Sequence, residues 1–261
     1  MKSKDISSLA NPELKFLLSL RKNKIRKKEE KSLAEGYREN IQLIKSNYAI
    51  DTLYICDDLF MGENNFELVD KFKNKNIRIV KLSKKVFAAL SYRDKSDGII
   101  SLFETKDLSL IDNPLSGPIF IADKIEKPGN LGTMIRTARS FNIKNIIASD
   151  SVTDIYNPNV IRSSIGHIFN INIYSEESKK IISFLKNLKY QIISLVPSSD
   201  KSINSFKPNK NYALVIGSEQ YGISEIWKKN SNEILKIDSE AHVDSLNASS
   251  AAAIAMWEIY K

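Results

Sequence analysis

The chain has 261 residues, of which 42% are hydrophobic, and a formal net charge of +8. This size and composition allow one large buried core or two small ones, and the positive charge favours a polyanionic partner. No apolar stretch approaches the roughly 20 residues that cross a membrane, and the first residues lack the apolar core of a secretory signal. The single cysteine, Cys56, excludes an intrachain disulfide and a cysteine-based zinc site. We therefore expect a cytoplasmic protein in which Cys56 is a small buried hydrophobic residue.

The positive charge is concentrated near the start of the chain. Residues 1 to 50 contain 12 Lys and Arg against 6 Asp and Glu, and the densest run, Arg21 to Lys31, has seven cations in eleven residues. We interpret this run as the end of a helix that begins near Pro12. It is either a solvated helix face or a surface that contacts phosphates. The net charge of the whole chain favours the second interpretation.

The front of the chain indicates an α/β module. Pro12 in a first turn predicts a helix start, and a second helix is predicted from about Leu33 to Ser46. Strand, helix, strand, helix and strand then follow at TLYICDD, FELVDKFKNK, IRIVKL, KKVFAALS and GIISLFE. Two prolines and a glycine between Lys106 and Pro118 mark a boundary. We predict a front domain of residues 1 to 112 and a second domain of residues 113 to 261.

The second domain indicates a parallel sheet. Short apolar strands are predicted at PIFIAD, NIIAS, INIY, YQIISLV, YALVIG and EILKID. Helices are predicted at LGTMIRTARSFNI, NVIRSSIGHIF and KKIISFLKNL, and from about Asn247 to Tyr260. Apolar strands that alternate with helices are typical of an α/β fold with a parallel sheet and helices on both faces.

Three segments of the second domain place small or polar residues after an apolar strand or at the mouth of a helix. Ligands bind at the carboxyl ends of parallel strands, so these segments are candidates for a site. They contain Asn130 and Arg136, then Gly217, Glu219 and Gly222, and finally Ser245, Leu246 and Asn247. Each segment also has an explanation without a ligand. The first can be a helix cap with a surface salt bridge, the second a tight turn and the third close helix packing. The glycine spacing matches neither a phosphate loop nor the dinucleotide fingerprint of an oxidoreductase.

The sequences NLGTMIRTA, VIGSEQYGIS and SLNASSAAAIA, in this order, resemble the three signature motifs of the SpoU/TrmH family of RNA ribose 2′-O-methyltransferases. The resemblance extends over residues 118 to 261. The front half is similar to the family's L30e-like α/β substrate-binding domain, through NPELKFLLSLRK and AEGYREN. The stretch NPNVIRSSIGHIF resembles the family's segment after the first motif, through Arg162, Ser164 and Gly166.

This resemblance implies an RNA methyltransferase of the SPOUT superfamily with a deep trefoil knot in the last third of the chain, S-adenosylmethionine as cofactor, and a homodimer. The residues it places around the cofactor are Leu195, Gly217, Ile237, Ser245 and Leu246, with Gly217 and Leu246 in contact largely through backbone atoms. The residues it places in the reacting region are Asn130, Arg136, Glu219, Ser245 and Asn247. It implies no metal, and we interpret His167 and His242 as structural or solvent-facing.

Arg136 matches the catalytic arginine of the family. A 2′-hydroxyl is weakly acidic, so methyl transfer requires removal of its proton or stabilisation of the developing alkoxide. An arginine is a poor base because its pKa exceeds about 12. We expect Arg136 to bind the phosphate beside the target ribose and to stabilise the oxyanion. The proton acceptor stays open between that phosphate, water bound to Asn130 and an activated Arg136.

The expected substrate is a structured RNA, with ribosomal RNA favoured over transfer RNA. The alternative from another class is a catalytically silent RNA-binding or assembly protein with the same fold. Loss of Arg136 or Asn247 would favour that alternative, and both residues are present. The lysines at Lys124 and Lys127 depart from the common family pattern, which leaves the identity of the RNA open.

Overall fold

The computed structural model describes residues 4–110, 115–204, 206–239 and 246–260. The chain forms two compact units. The first contains Met1–Lys106 and Tyr156–Asn170, and the second contains Asp107–Ile155 and Ile171–Lys261. The segment Tyr156–Asn170 therefore belongs with the first unit, whereas the sequence placed it in the second domain. The functions assigned to residues 1 to 112 and 113 to 261 stay predictions.

The first unit is built on a mixed five-stranded sheet. Its strands are β1 (Lys4–Ile6), β2 (Lys31–Glu35), β3 (Ile50–Ile55), β4 (Arg78–Leu82) and β5 (Ile99–Glu104), in the spatial order β1-β4-β3-β5-β2. β1 and β3 run parallel to β4, and β5 runs antiparallel to β2 and β3. Its first five helices are α1 (Pro12–Ser19), α2 (Asn23–Glu29), α3 (Tyr37–Ile44), α4 (Glu63–Asn74) and α5 (Lys84–Leu90). This α/β organisation agrees with the prediction, and Cys56 is 1% exposed, as expected.

The predicted helix that continues from Pro12 into the cationic run is wrong. α1 ends at Ser19 and α2 is a separate helix, because the buried Arg26 side chain binds the turn between the two helices. Its Nη1 donates to the carbonyl oxygens of Leu20 at 2.6 Å and Arg21 at 2.9 Å. Carbonyl groups at a helix end lack partners within the helix, and a buried guanidinium satisfies them.

The predicted second helix is also wrong in its first residues. Lys31–Glu35 form β2, an edge strand paired with β5, and the helix begins only at Tyr37. The buried Leu33 and Ala34 fit either a helix or a strand in a short window. Pairing with β5 decides between them, since local patterning does not separate the two in runs of this length.

The second unit contains a fully parallel six-stranded sheet, as predicted. Its strands are β6 (Ile119–Asp123), β7 (Asn145–Ser149), β8 (Asn172–Glu176), β9 (Gln191–Leu195), β10 (Tyr212–Ile216) and β11 (Glu233–Leu235), in the spatial order β11-β9-β10-β6-β7-β8. Every residue of β6, β7 and β10 is buried, which explains their continuous apolar sequences. Its helices are α6 (Pro128–Ser140), α8 (Ser178–Asn187), α9 (Glu225–Asn230) and α10 (Ala248–Tyr260). The short α9 was not predicted.

The segment Tyr156–Asn170 is not one helix. α7 (Pro158–Ser163) is followed by a 3-10 helix over His167–Asn170, and two consecutive residues of positive φ, Ile165 at 51° and Gly166 at 73°, separate them. The Phe169 ring lies 5.1 Å from the ring of Phe103. These aromatic contacts hold the segment in the core of the first unit.

Two expectations fall partly outside the described residues. The predicted trefoil knot stays a prediction, because residues 240–245 are not described. His242 lies in that gap, whereas His167 is half-buried at the start of the 3-10 helix. No helix within the described ranges is long and apolar enough to cross a membrane.

Candidate active site

The carboxyl ends of four parallel strands bring distant segments to one edge of the second unit's sheet. β6 ends at Asp123, β9 at Leu195, and Gly217 directly follows β10. Within the sheet Leu195 pairs with Leu235 at the end of β11. This edge is where ligands bind in parallel α/β sheets. The predicted cofactor residues Leu195, Gly217 and Ile237 all lie at the carboxyl end of a strand or within two residues of it.

Glu219 is the centre of a hydrogen-bonded cluster at this edge. Its Oε1 accepts a hydrogen bond from Nδ2 of Asn130 at 2.9 Å and a second from Nδ2 of Asn247. Nδ2 of Asn247 also lies 3.2 Å from Oδ1 of Asn130. The ammonium group of Lys127 donates to Oε2 of Glu219. Three of the predicted catalytic residues, which belong to three separate motifs, therefore meet through their side chains.

Asn247 has a second task at the start of α10. Its Oδ1 accepts from the backbone N–H of Ser249 at 2.9 Å and from the hydroxyl of Ser249 at 2.6 Å. It also lies 3.3 Å from the backbone nitrogen of Ser250. This is an N-cap interaction, which satisfies backbone donors that have no partner within the helix. One side chain thus joins the helix start to the carboxylate of Glu219.

The cluster keeps Glu219 ionised. Hydrogen bonds from Lys127 and then from Asn130 lower the pKa of the Glu219 carboxyl, and the positive charge of Lys127 acts in the same direction. The side chain of Lys127 is 66% exposed and that of Glu219 is 21% exposed, so solvent screens much of the attraction between the two charges. A carboxylate that is stabilised in its charged form and occupied by three donors is a weak proton acceptor. Glu219 is therefore placed to hold its neighbours in position.

The loop after β10 closes on itself. Ser218 and Gly222 exchange two backbone hydrogen bonds, at 3.1 and 3.0 Å. A Cβ atom on Gly217 would lie 2.1 Å from the carbonyl carbon and oxygen of Gly222. Gly217 is thus required by the close approach of its own loop, and this loop delivers Glu219 to the cluster.

The residues predicted to surround the cofactor offer a partly apolar surface. Leu195 and Ile237 are half-buried, and Leu246 is 37% exposed. Half-buried aliphatic side chains beside a glycine loop suit an aromatic base and its sugar, since ligand pockets combine apolar walls with a few polar groups. The set thus fits S-adenosylmethionine. Ser245, predicted for both the cofactor and the reaction, lies outside the described residues.

Arg136 lies outside the hydrogen-bonded cluster. It is exposed on α6, six residues after Asn130, and its guanidinium has no hydrogen-bond or ion-pair partner in the part of the chain that the structure describes. An exposed arginine without an internal partner is available to an external phosphate.

Two residues of this edge carry roles that the sequence did not reveal. Lys127 was noted only as a departure from the family pattern, yet it contacts Glu219 directly. Asp123 is fully buried, and it accepts from the hydroxyl of Ser149 at 3.2 Å and from the backbone N–H of Ser224 at 2.9 Å. The Trp227 indole N–H donates to the same Ser149 hydroxyl at 3.1 Å. A carboxylate that ends the apolar strand IFIAD was the available signal for such a buried network.

Comparison with known proteins gives the class of this molecule. Residues 117–257 match the model of the SpoU rRNA Methylase family, and residues 11–101 match the MRM3-like substrate binding domain. The chain is 22% identical, over 98% of its length and 99% of the other chain, to the 23S rRNA (guanosine(2553)-2′-O)-methyltransferase RlmP of Bacillus subtilis. It is 28% identical, over 54% of each chain, to the 23S rRNA (adenosine(1067)-2′-O)-methyltransferase of Streptomyces azureus.

A solved structure shows the same fold. The AdoMet-bound rRNA methyltransferase from Sinorhizobium meliloti superimposes with a TM-score of 0.87, covering 99% of this chain and 97% of that chain at 24% identity. The family match and the fold together define an RNA methyltransferase. This chain belongs to the SpoU rRNA Methylase family. The predicted family, fold class, enzyme class and methyl donor, S-adenosylmethionine, are confirmed.

Proposed function

We propose that this protein methylates a ribose 2′-hydroxyl of ribosomal RNA in the cytoplasm. The names of the similar proteins support ribosomal RNA over transfer RNA, since two of them act on 23S rRNA. The net charge of +8 supports a polyanionic substrate. The first unit binds the RNA and the second carries out the transfer, a division that the match of residues 11–101 to a substrate-binding domain supports.

The observation that carries this proposal is the cluster of Asn130, Glu219 and Asn247. Each residue comes from a different motif, and their side chains share one hydrogen-bond network at the carboxyl edge of a parallel sheet. The two amides and the carboxylate hydrogen-bond to one another. A preorganised polar network of this kind fixes the shape of a reacting site before substrate arrives.

Arg136 provides the positive charge that the reaction needs. It binds the phosphate next to the target ribose, and its guanidinium stabilises the negative charge that develops on the 2′-oxygen. Glu219 positions Asn130 and Asn247 and does not take the proton, because its pKa is lowered and its oxygens already accept three hydrogen bonds.

The apolar residues at the strand ends would hold the methyl donor. Leu195 and Ile237 would form walls around its adenine, and Gly217 and Leu246 would contact it largely through backbone atoms. Bound S-adenosylmethionine supplies an activated methyl group, so no metal is required for the transfer. The residues of the chain would orient the ribose so that its 2′-oxygen can attack that methyl group.

The protein works as a homodimer through α10. Three large residues of this helix are exposed at helical spacing: Ile254 by 37%, Trp257 by 50% and Tyr260 by 59%. The ring of Phe141 extends the surface, since it lies 6.0 Å from Trp257. Contiguous exposed aromatic residues are typical of an interface. Sedimentation of the wild type and of Trp257→Asp tests this part, and a monomeric wild type would contradict it.

The decisive experiment is transfer of labelled methyl from S-adenosylmethionine to unmodified ribosomal RNA and transfer RNA, side by side. Arg136→Ala should lower the rate by about a hundredfold or more and leave cofactor binding unchanged. Arg139→Ala is the matched control, because Arg139 is also exposed on α6, and it should stay within about twofold. Label in transfer RNA alone would mean that transfer RNA, and not ribosomal RNA, is the substrate. Cofactor binding without label in either RNA would favour the catalytically silent alternative.

A further inference from the structure

The first unit contains a cavity of about 780 Å³, and none of its lining residues belongs to the proposed active site. Its walls come from the start of α3, the start of α4 with the residues just before it, the segment between α5 and β5, and the end of α7 with the loop that follows it. The last wall is part of NPNVIRSSIGHIF, a stretch that has no role in the proposed reaction. The volume suits a nucleotide-sized ligand.

The floor of the cavity is held by a buried ion pair. Glu39 is 3% exposed, and its Oε1 accepts from Nη2 of Arg93 at 2.6 Å. Burial raises the pKa of the Glu39 carboxyl, although Arg93 opposes the shift. The loop of the fourth wall packs against the same residue so closely that a Cβ atom on Gly166 would lie 2.8 Å from the Cα of Glu39. The cavity is therefore a built feature of the unit.

Two polar atoms of this floor have no hydrogen-bond partner among the described residues. Nε of Arg93 and Oδ1 of Asp97 are buried without a hydrogen bond to any described residue. The other carboxylate oxygen of Asp97 accepts from the backbone N–H of Tyr37 at 2.7 Å. Buried polar groups in native proteins are almost always paired. Arg93 and Asp97 both line the cavity, so its floor is polar.

The rim of the cavity carries cations and an exposed apolar residue. Arg38 and Arg162 are exposed, and neither has a hydrogen-bond or ion-pair partner among the residues that are described. Lys95 adds a third exposed cation, beside the carboxylate of Asp94. Met61 is 82% exposed at the same rim. Free cations around an apolar contact match a nucleotide, which combines phosphates with a flat base.

We propose that this cavity binds one unstacked nucleotide of the RNA substrate, with its base in the recess and its flanking phosphates on Arg38 and Arg162. The inference rests on the proposed function, since it requires an RNA substrate. The base contacts Met61, Tyr37 and Ile165, and its edge faces the polar side chains of the floor. The site adds recognition of a particular RNA structure to the sequence-independent attraction of the basic surface, since unpaired bases are what proteins read in folded RNA.

The test uses the full-length protein and measures both RNA affinity and methyl transfer. Arg38→Ala combined with Arg162→Ala should weaken RNA binding and reduce the salt slope by about 1.5, because two phosphate contacts are lost. The matched control, Lys71→Ala with Lys85→Ala, removes two exposed charges from the same unit away from the cavity lining. It should change affinity far less.

A second variant tests occupancy without changing charge. Asn64 is exposed in the cavity lining at the start of α4, and Asn64→Trp should fill the mouth. It should weaken RNA binding by about tenfold, the scale of one lost base contact, with no change in the salt slope. Glu67→Trp, on the same helix but outside the lining, is its control and should bind at least as tightly as the wild type.

The outcomes separate this inference from the proposed function. A wild type that methylates RNA while both cavity variants bind and react normally would overturn the cavity site alone. A wild type that methylates no RNA would overturn the proposed function, whatever the variants do. The four nucleoside 5′-monophosphates serve as competitors. Binding of a free nucleotide that depends on Arg38 and Arg162, with RNA affinity unaffected, would mean a free-nucleotide site and would also contradict the proposal.

Discussion

At the scale of single residues, Glu219 acts by positioning other side chains. It receives hydrogen bonds from Asn130, Asn247 and Lys127, and none of these donors is near it in the sequence. Removal of any one partner leaves a charged acceptor incompletely satisfied, which costs more than the net value of the bond itself. Substitutions in the cluster should therefore affect the other members as well as the residue replaced.

Two variants of Asn247 should separate its cap from its contact with Glu219. Both variants should lose stability because the donor to Glu219 is gone, and Asn247→Ser, which keeps a good N-cap, should be more stable than Asn247→Ala by about 1 kcal/mol. Both lose the amide donor to Glu219, and kcat should fall by about tenfold or more, because hydrogen bonds to charged groups contribute about 1.5–3 kcal/mol. Denaturant unfolding and methyl transfer measure the two effects. Full activity of Asn247→Ser would remove the amide from the mechanism.

The lowered pKa of Glu219 predicts how its contribution to stability depends on pH. A carboxyl group whose pKa is lower in the folded state stabilises the fold above its unfolded pKa, about 4.3. That contribution disappears as pH falls through the folded pKa. The difference in unfolding free energy between wild type and Glu219→Gln should therefore be constant near neutral pH and shrink below about pH 5. A difference that grows on acidification would show that the carboxyl group is not held in its charged form.

At the scale of elements, the loop between β10 and α9 shows two glycines with different requirements. Gly217 has the Gly222 carbonyl group where its Cβ would lie, whereas Gly222 has open space but a φ of 65°. A side chain at the first position collides with backbone, which cannot be moved without opening the loop. A side chain at the second position meets only the cost of a left-handed conformation.

Gly217→Ala and Gly222→Ala should therefore differ in kind. Gly222→Ala should cost about 1 kcal/mol of stability and retain cofactor affinity. Gly217→Ala should displace Glu219, and so lower affinity for S-adenosylmethionine and turnover by about tenfold or more. Calorimetric binding of S-adenosylmethionine to both variants makes the comparison. Equal affinities would mean that loop closure does not shape the cofactor site.

At the scale of the whole molecule, the charge is used in two ways. Within the cationic run, Arg26 is buried as a helix-end partner, and Arg21 donates to the carbonyl oxygens of Ala89 and Ser91. Lys31 pairs with Asp51. Four lysines remain on the surface, at Lys22, Lys24, Lys27 and Lys28. The surface available to RNA is thus smaller than the run of seven cations suggested.

Replacement of these four lysines by alanine should weaken RNA binding and reduce the slope of log affinity against log salt by about 3, since each phosphate contact contributes about 0.7–0.9. The fold should persist, because all four side chains are exposed. The control replaces Lys71, Lys73, Lys84 and Lys85, which are also exposed on the first unit. Equal losses in the two variants would assign the effect to net charge and not to this surface.

The sequence alone determined the features that depend on local chemistry. Continuous apolar runs such as those of β6 and β10 predict buried parallel strands, because both faces of such a strand are covered. The motif residues Asn130, Glu219 and Asn247 were also identified from the sequence, through a resemblance that composition could not provide.

Tertiary structure decided what depends on partners far along the chain. Lys31–Glu35 became a strand because β5 supplied its hydrogen bonds, and Arg26 became a core residue because the end of α1 required donors. The segment Tyr156–Asn170 joined the first unit although the sequence around it belongs to the second. Lys127 belongs to the active-site cluster because it contacts Glu219, which is distant in the sequence. Burial and hydrogen-bond pairing are set by three-dimensional neighbours, and local periodicity contains no information about which distant group will satisfy a given side chain.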